Sequence, residues 1–317
     1  MDRASIADSI LAGSLGRVFH LMRLPGAEKL LWVWLAAFGL QAQAEDFQLF
    51  ARSNLVAWCI VPFDGKKRGP EERAAMLEKL GLRRLAYDYR AEHFPTFDDE
   101  IAALKRHHIE LTAWWFPGTL NEEARHILAL LKKHRVHPQL WVMGQGKAAG
   151  TPEAQRAQIL SEAKRLRPIA EEAAKIGCQV ALYNHGGWFG DPENQLAIIE
   201  ELNLPNVGIV YNLHHAHDQI ARFPELLEKM KPHLLALNLN GMIEDGERRG
   251  RKIVPIGQGE LDPKWLEIIR QSGWHGPIGI LNHTDEDAEA RLRDNLAGLE
   301  WLVYGQRGPK PVPSSWK

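Results

Sequence analysis

The chain has 317 residues, of which 45% are hydrophobic and 25% are charged, and its formal net charge at pH 7 is −1. This composition is typical of a soluble globular protein with enough residues for one large domain or two average ones. Because there is no surplus of positive charge, nucleic acid and anionic membrane surfaces are not expected partners.

The first 44 residues are predicted to be a signal peptide outside the fold. Residues 30–40 form an apolar run of the length of a signal-peptide core, which is too short to span a bilayer well. Residues 42–44 match an A-x-A cleavage site, so the mature chain would begin at Glu45. A true start at Met22 would give a leader of ordinary length, and a structural or membrane-anchoring helix is the alternative. We therefore expect an exported protein, periplasmic or extracellular, with no membrane contact after cleavage.

After the leader, short apolar runs alternate eight times with segments of helical periodicity. Runs of Val, Ile and Leu without polar alternation are typical of parallel strands buried on both faces. The pattern predicts an α/β fold, a (β/α)₈ TIM barrel that forms a single domain at residues 45–304, followed by a Pro-rich tail at 305–317. We predict strands at residues 55–61, 84–89, 111–116, 139–143, 180–182, 207–210, 234–239 and 278–281, and helices at 70–80, 98–107, 121–134, 152–176, 192–204, 224–230, 263–272 and 287–303.

One long segment, residues 241–261, interrupts this rhythm. It is too long for an ordinary loop between a strand and a helix, and we expect it to cover the barrel mouth. Its basic run at residues 248–252 is interpreted as a solvated loop face, with a lid that contacts an anionic or carbohydrate ligand as the alternative.

Polar side chains collect where the last four strands end. In parallel α/β folds the carboxyl ends of the strands carry the site. Asparagine amides both donate and accept hydrogen bonds, which matches sugar hydroxyls, and indole rings can stack on a sugar ring. Asp88, Arg90 and His93 follow the second strand and could join the site, whereas His214 is expected to point outward or pack sideways. The candidate bases are His185 and His215, and the candidate substrate-binding residues are Asn184, Asn212, Asn238, Asn240, Asn282, His283, Trp115, Trp188 and Arg90.

Four stretches resemble the sugar phosphate isomerase/epimerase family, the barrels related to xylose isomerase and endonuclease IV. Residues 177–188, GCQVALYNHGGW, are similar to that family's G-V-x-L-A-L-E-N-H, and residues 206–217, NVGIVYNLHHAH, to its V-G-x-x-x-D-x-x-H. Residues 254–262, VPIGQGELD, are similar to its P-L-G-x-G-x-x-D turn, and residues 275–281 to its last strand. The resemblance covers about residues 50–303 and implies a barrel enzyme that acts on sugars.

The chain departs from this family at the metal ligands. The family usually binds one divalent metal through Glu, Asp, His and Glu, and these positions hold Tyr183, Asn212, Asn238 and either Leu281 or, with a shift of one residue, Asn282. Neutral amides offset little of the dehydration cost of a hard dication. We therefore expect no cofactor, with weak or absent binding of the Mg²⁺ or Mn²⁺ that would follow the family.

The resemblance and the polar strand ends together predict an exported carbohydrate-active barrel. The expected activity is that of an isomerase, epimerase or lyase that moves a proton next to a carbonyl of a sugar or keto-sugar, with His185 or His215 as the base. The expected partner is a small-molecule carbohydrate, and the sequence does not predict an oligomeric state.

Two alternatives stay open. One is a non-catalytic sugar-binding barrel that has lost the family metal site, and the other is a soft-metal site on His185, His215 and His283. A glycoside hydrolase is disfavoured because no pair of carboxylates can be placed at the strand ends.

Overall fold

Eight parallel strands close into a barrel in sequence order, and each strand is followed by a helix. The computed structural model describes residues 48–314, so the predicted signal peptide lies outside the described residues. The predicted (β/α)₈ barrel is confirmed. The strands are β1 (Leu55–Trp58), β2 (Arg84–Tyr87), β3 (Glu110–Phe116), β4 (Gln139–Val142), β5 (Gln179–Tyr183), β6 (Val207–Asn212), β7 (Leu234–Leu239) and β8 (Ile278–Leu281). The helices are α1 (Pro70–Lys79), α2 (Phe97–Arg106), α3 (Glu122–His134), α4 (Pro152–Lys175), α5 (Pro192–Leu202), α6 (Phe223–Met230), α7 (Asp262–Gln271) and α8 (Ala288–Val303).

The barrel interior combines large aromatic rings with very small side chains. Trp58 and Trp141 are buried inside the barrel, and their ring centroids lie 4.7 Å apart in an edge-to-face arrangement. In a closed eight-stranded barrel the interior is just wide enough to be filled by side chains, so large rings require small neighbours. Alanine supplies this space at Ala86, Ala113 and Ala181, which belong to the same interior cluster.

The long segment after β7 folds back on itself before α7 begins. Gly241 and Val254 pair in an antiparallel bridge. The returning part of this segment passes so close to α8 that a Cβ on Gly298 would lie 1.7 Å from the carbonyl oxygen of Ile256. Only glycine fits at this crossing.

The first residue of α7, Asp262, fastens the segment 241–261 to the barrel. Its Oδ1 accepts the backbone N–H of Met242 at 2.7 Å, and its Oδ2 accepts those of Gly257 and Gly259 at 2.8 and 3.0 Å. The Gly-rich turn therefore needs an aspartate at this position to satisfy three buried donors.

Replacing Asp262 with alanine is expected to lower the free energy of unfolding by roughly 2 kcal/mol, because three backbone donors lose their acceptor. Urea denaturation followed by tryptophan fluorescence measures this change. Glu260→Ala is the matched control, since the exposed Glu260 carboxylate accepts one N–H, that of Glu244, at 2.9 Å. An Asp262→Ala variant as stable as the control would contradict the anchoring role.

The C-terminal tail follows the surface as far as Ser314. The Gln258 side chain donates to the carbonyl oxygen of Pro311 at 2.7 Å, and the backbone N–H of Ser314 donates to Asp294 of α8. Among the helices in the described range, none is long and apolar enough to cross a membrane.

Candidate functional site

A chain of imidazole rings runs along the barrel mouth, where β5, β6 and β8 end. The rings follow one another in the order His185, His215, His214, His283 and Phe63, with centroid separations of 4.3, 4.0, 5.3 and 4.0 Å, and the Arg90 guanidinium lies 5.4 Å from the Phe63 centroid. We call the four imidazoles the histidine chain. The structure thus brings together both predicted bases and the predicted binding residues His283 and Arg90.

The turn after β6 determines how the histidine chain forms. Strand β6 ends at Asn212, and residues Leu213–His215 make a 3₁₀ turn in which the Asn212 side chain accepts the N–H of His214 at 3.1 Å. Side chains in such a turn do not alternate between two faces as they do in a strand. Of the two orientations predicted for His214, the outward one is therefore wrong, because this residue is buried and packs sideways between His215 and His283.

The histidine chain is electrically neutral around pH 7. Burial, followed by the charges of neighbouring imidazoles, lowers the pKa of His214 to about 3 and that of His215 to about 2. Burial also lowers the pKa of His185 and of His283. A neutral imidazole offers one acceptor nitrogen and one donor N–H, so each ring can accept one hydrogen bond and donate another.

The long segment contributes one cation to this region. The Lys252 ammonium lowers the pKa of all four imidazoles in the histidine chain. Its own carbonyl oxygen accepts from His217 at 2.9 Å, which places residue 252 beside the end of β6. The neighbouring cations Arg248 and Arg249 are exposed, and each forms an ion pair with an acidic side chain of residues 241–261, as expected of a solvated loop face.

Below the histidine chain lies an aromatic cluster that surrounds Tyr183, the last residue of β5. The Tyr183 ring lies 5.7 Å from His215 and 6.2 Å from His185. The half-buried Trp115 packs against it edge to face at 5.0 Å, and Trp141 lies 5.9 Å away. Trp115 thus stands at the mouth as predicted, and Tyr183 is a residue that the sequence-based set of candidates did not include.

Asn184 does not present its amide to a ligand, contrary to expectation. Its Oδ1 accepts the backbone N–H of Asn212 at 2.7 Å, and its Nδ2 donates to the backbone carbonyl of Asn212 at 3.1 Å. Both polar atoms of the Asn184 side chain therefore hold the ends of β5 and β6 together. Because Tyr183 points into the barrel, strand alternation places Asn184 on the other side.

Asn238, Asn240 and Asn282 are buried and keep unused polar atoms. Within the part of the chain that the structure describes, both amide atoms of Asn238 and of Asn282 lack a hydrogen-bond partner, as does Oδ1 of Asn240. Asn238 lies inside the barrel, where a Cβ on Gly279 would be 1.8 Å from its Oδ1. By strand alternation Asn282 follows the interior Leu281 and faces the helices. Of the predicted amides, Asn238 is thus the one on the inner side with both amide atoms unused within the described residues, whereas Asn240 donates through Nδ2 to the carbonyl oxygen of Gly241 at 2.9 Å and leaves its Oδ1 unused.

Two of the residues predicted to bind the ligand, Trp188 and Arg90, use their polar groups in hydrogen bonds within the protein. The Trp188 indole N–H donates to Gln155 of α4 at 2.6 Å, and its ring is buried against the backbone of Gly146. The Arg90 guanidinium donates to the carbonyl oxygens of Asp88 and Tyr89, both at 2.8 Å, which leaves its charge near Phe63 and His283.

One buried carboxylate lies near the mouth. Asp88 follows β2, is 1% exposed, and has an Oδ2 atom with no hydrogen-bond partner among residues 48–314. Burial raises its pKa to about 7, although the nearby Arg90 opposes the rise. Burial is also the main cause of the raised pKa values of Cys59 and Tyr183, and the Asp88 charge adds to both. The sequence indicated Asp88 only by its position after a strand.

A family model described as xylose isomerase-like TIM barrel matches residues 47–302. The chain belongs to this family.

Solved structures of three such barrels align with it over nearly their whole length. The 3-keto-D-glucoside 4-epimerase from E. coli, in its apo form, is 17% identical, with 80% of this chain and 99% of that chain covered and a TM-score of 0.58. The probable 3-DHS dehydratase involved in petrobactin synthesis in Bacillus anthracis is 15% identical, with 79% and 98% covered and a TM-score of 0.61. The IOLI protein with a bound zinc atom is 16% identical, with 81% and 100% covered and a TM-score of 0.63.

These identities show a common fold and nothing finer. A search of curated protein sequences returns no match. What distinguishes this chain within the xylose isomerase-like family must therefore be read from its own side chains.

Two of the side chains at the usual metal positions, Tyr183 and Asn212, are hydrogen-bonded to each other. Asn212 donates through Nδ2 to the Tyr183 hydroxyl, and its register neighbour on β7 is Asn238. Within residues 48–314 no group of three or more His, Cys, Asp or Glu side chains is arranged to hold a metal ion. The alternative of a soft-metal site on His185, His215 and His283 is therefore not supported by the arrangement of these rings.

Proposed function

We propose that this protein is an exported carbohydrate-active enzyme, an isomerase, epimerase or lyase, that moves a proton next to a carbonyl of a sugar or keto-sugar. The observation that carries the proposal is the pair of neutral imidazoles, His185 and His215, with ring centroids 4.3 Å apart at the barrel mouth. Proton transfer at carbon needs a base that is unprotonated at the working pH and reachable from solvent.

His185 is the better base of the two. It is exposed, whereas His215 is half-buried and its pKa is lowered to about 2, which makes its conjugate acid too strong for efficient proton abstraction. We assign the proton transfer to His185, and we assign His215 to holding the His185 ring and binding the substrate.

The reaction follows from this assignment. His185 takes the proton from the carbon next to the carbonyl, the C–H electron pair forms the carbon–carbon double bond of an enediolate, and the carbonyl π pair moves to oxygen. Return of the proton to the former carbonyl carbon, with the hydroxyl proton of the first carbon passing to the other enediolate oxygen, gives an isomer. Delivery of a proton to the opposite face of the first carbon gives an epimer. Expulsion of a β-hydroxyl, which takes up the proton held by His185 and leaves as water while the carbonyl re-forms, gives the product of a lyase. Asn238 and Asn240 supply amide groups that match sugar hydroxyls, and Trp115 supplies a ring face.

Two relatives support the class of reaction without defining the substrate. One neighbour is called a 3-keto-D-glucoside 4-epimerase, a name that describes chemistry next to a carbonyl, and another a probable 3-DHS dehydratase, a name that describes the loss of water. The substrate class that we propose for this chain is a sugar or keto-sugar without a required phosphate group, in keeping with export.

Deuterium exchange tests the proposal without knowledge of the product. The protein that begins at Glu45 is incubated in D₂O with a panel of aldoses, ketoses and 3-keto-glycosides, and NMR records deuterium at the carbon next to the carbonyl. We expect exchange with at least one keto-sugar. Sugar binding without exchange would favour the alternative function, a non-catalytic sugar-binding barrel. The amide of Asn238 and the Oδ1 atom of Asn240, which have no partner among the described residues, would serve that function equally well.

The donors at the usual metal positions do not fit a hard dication, because they are a phenol and neutral amides that are partly bonded to one another. We therefore expect sugar binding and turnover to survive a strong chelator. Elemental analysis of the purified protein should find Mg and Mn well below one equivalent. Stoichiometric Mn²⁺ together with loss of activity on chelation would contradict this prediction.

A further inference from the structure

The Tyr183 hydroxyl hydrogen has no protein acceptor within the described residues. The phenol oxygen accepts a hydrogen bond from Nδ2 of Asn212. The orientation of that amide is fixed by its neighbour, because Oδ1 of Asn212 accepts the N–H of His214 at 3.1 Å and must face it. The amide nitrogen therefore faces Tyr183, and the phenol acts as the acceptor in this bond. Its own O–H remains available.

The surroundings keep Tyr183 in its phenol form. Burial, followed by the nearby Cys59, raises the pKa of Tyr183 well above the ordinary value, whereas the Asn212 hydrogen bond opposes the rise. A phenol that stays protonated at pH 7 is a hydrogen-bond donor. Hydrogen bonds in series strengthen one another, so the bond that the phenol oxygen accepts from Asn212 strengthens the bond that the phenol O–H can donate. Negative charge on an atom that accepts from this O–H is therefore less costly.

A second buried tyrosine in the same barrel behaves differently. Tyr211 lies on the helix-facing side of β6, and its hydroxyl donates to Oε1 of Gln219 at 2.8 Å. Its hydrogen is used within the protein. Only Tyr183, of these two phenols, combines a satisfied oxygen with an unused hydrogen beneath the histidine chain.

We propose that Tyr183, oriented by Asn212, donates its hydroxyl hydrogen to the carbonyl oxygen of the substrate and stabilises the negative charge that develops there. This inference rests on the proposed function and names the group that polarises the carbonyl. Tyr183 stands at the position where the family resemblance places a metal-binding Glu. A preorganised neutral donor is known to serve this purpose in other enzymes that form enolates. Tyr183 is 2% exposed and its ring contacts those of Trp115 and His215, so these two side chains must move apart before the carbonyl end of the sugar can reach the hydroxyl.

Tyr183→Phe tests the inference, because it removes the hydroxyl and keeps the ring. We expect deuterium exchange by this variant to slow by roughly 10²–10³-fold, the usual effect of losing one oxyanion donor. The sugar concentration for half-maximal rate should rise by roughly fivefold at most, the effect of losing one hydrogen bond to the bound sugar. Tyr211→Phe is the matched control, since it removes a buried phenol hydroxyl from the same barrel and should leave the exchange rate unchanged.

Asn212→Asp separates an electronic role from a structural one. The carboxylate would accept the phenol hydrogen, so the O–H would turn away from the substrate while the Tyr183 ring and hydroxyl both remain. We expect a loss of exchange similar to that of Tyr183→Phe, in a variant whose circular dichroism spectrum matches that of the wild type. Wild-type exchange rates in both folded variants would overturn the inference and leave the proposed function intact.

Binding provides a readout that does not need turnover. If the wild type binds a keto-sugar without exchange, the proposed function fails, and calorimetry then tests the hydrogen bond alone. Loss of one such bond should weaken binding of the keto-sugar by roughly fivefold in Tyr183→Phe, with no change for the matching alditol. Equal affinities, or no sugar binding by the wild type at all, would overturn the inference.

Discussion

Replacing His185 with asparagine is expected to lower turnover by roughly 10²–10⁴-fold while leaving substrate binding within a few-fold of the wild type. A general base acts in the transition state, so its loss reduces kcat and kcat/KM together. Asparagine keeps a polar side chain of similar reach but cannot take up a proton. The measurement is steady-state kinetics, or the deuterium exchange rate, on the keto-sugar that the exchange panel identifies.

Two further variants sharpen this test. His215→Asn removes the imidazole 4.3 Å from His185, and we expect a smaller loss of turnover because the low pKa of His215 makes it a weak base. His233→Asn is the matched control, since His233 is exposed and directly precedes β7, at the end of the barrel opposite the mouth. A larger effect at His215 than at His185 would reverse the assignment of the base.

The pH dependence follows from the direction of the His185 shift. Burial lowers the pKa of His185, so the imidazole stays neutral at pH values where free imidazole is already protonated. The acid limb of the kcat/KM profile should therefore lie below pH 6.5, and His215→Asn should leave that limb in place. An acid limb at or above the ordinary pKa of histidine would contradict His185 as the base.

The strands could be predicted because buried parallel strands leave a strong pattern in the sequence. All eight apolar runs coincide with observed strands, and the departures have local causes. The first strand ends at Trp58 rather than near residue 61, because Cys59 adopts a φ of 58°, which is incompatible with a strand. Strands β5 and β6 extend through Tyr183 and Asn212, because these polar residues still pair in the ladder.

The site could be predicted in position but not in orientation. His185, His215 and His283 each follow a predicted strand, and this position correctly indicated that they lie at the barrel mouth. A shift of one residue reverses the side to which a side chain points, and the sequence does not fix that register at a strand end. Asn184 was therefore assigned to the ligand although it binds the backbone of Asn212, and Tyr183, its neighbour on the inner side, was missed.

Asp88→Asn is expected to change the pH dependence of stability more than any substitution on the surface. Burial raises the pKa of Asp88 from 3.8 to about 7, so the folded protein retains a proton that the unfolded chain loses above about pH 4. The stability that the protonated carboxyl contributes is complete below pH 4 and is lost as the pH rises to about 7. At 1.36 kcal/mol for each pKa unit, the wild type should lose roughly 4 kcal/mol from this group.

Asparagine cannot ionise, so the Asp88→Asn variant should lack this loss, and its stability relative to the wild type should rise between about pH 4 and pH 7. Urea denaturation at several pH values measures the difference. Arg90 and Arg73, whose charges lower the pKa of Asp88, remain in both proteins, as does the Val61 N–H that the side chain accepts at 3.4 Å.

Asp98→Asn is the control, because hydrogen bonds from Lys133 and His134 lower the pKa of that exposed carboxylate and it stays ionised throughout this range. Parallel stability curves for the wild type and Asp88→Asn would mean that Asp88 is ionised in the folded protein at pH 5, and its unpartnered oxygen would then have to be solvated.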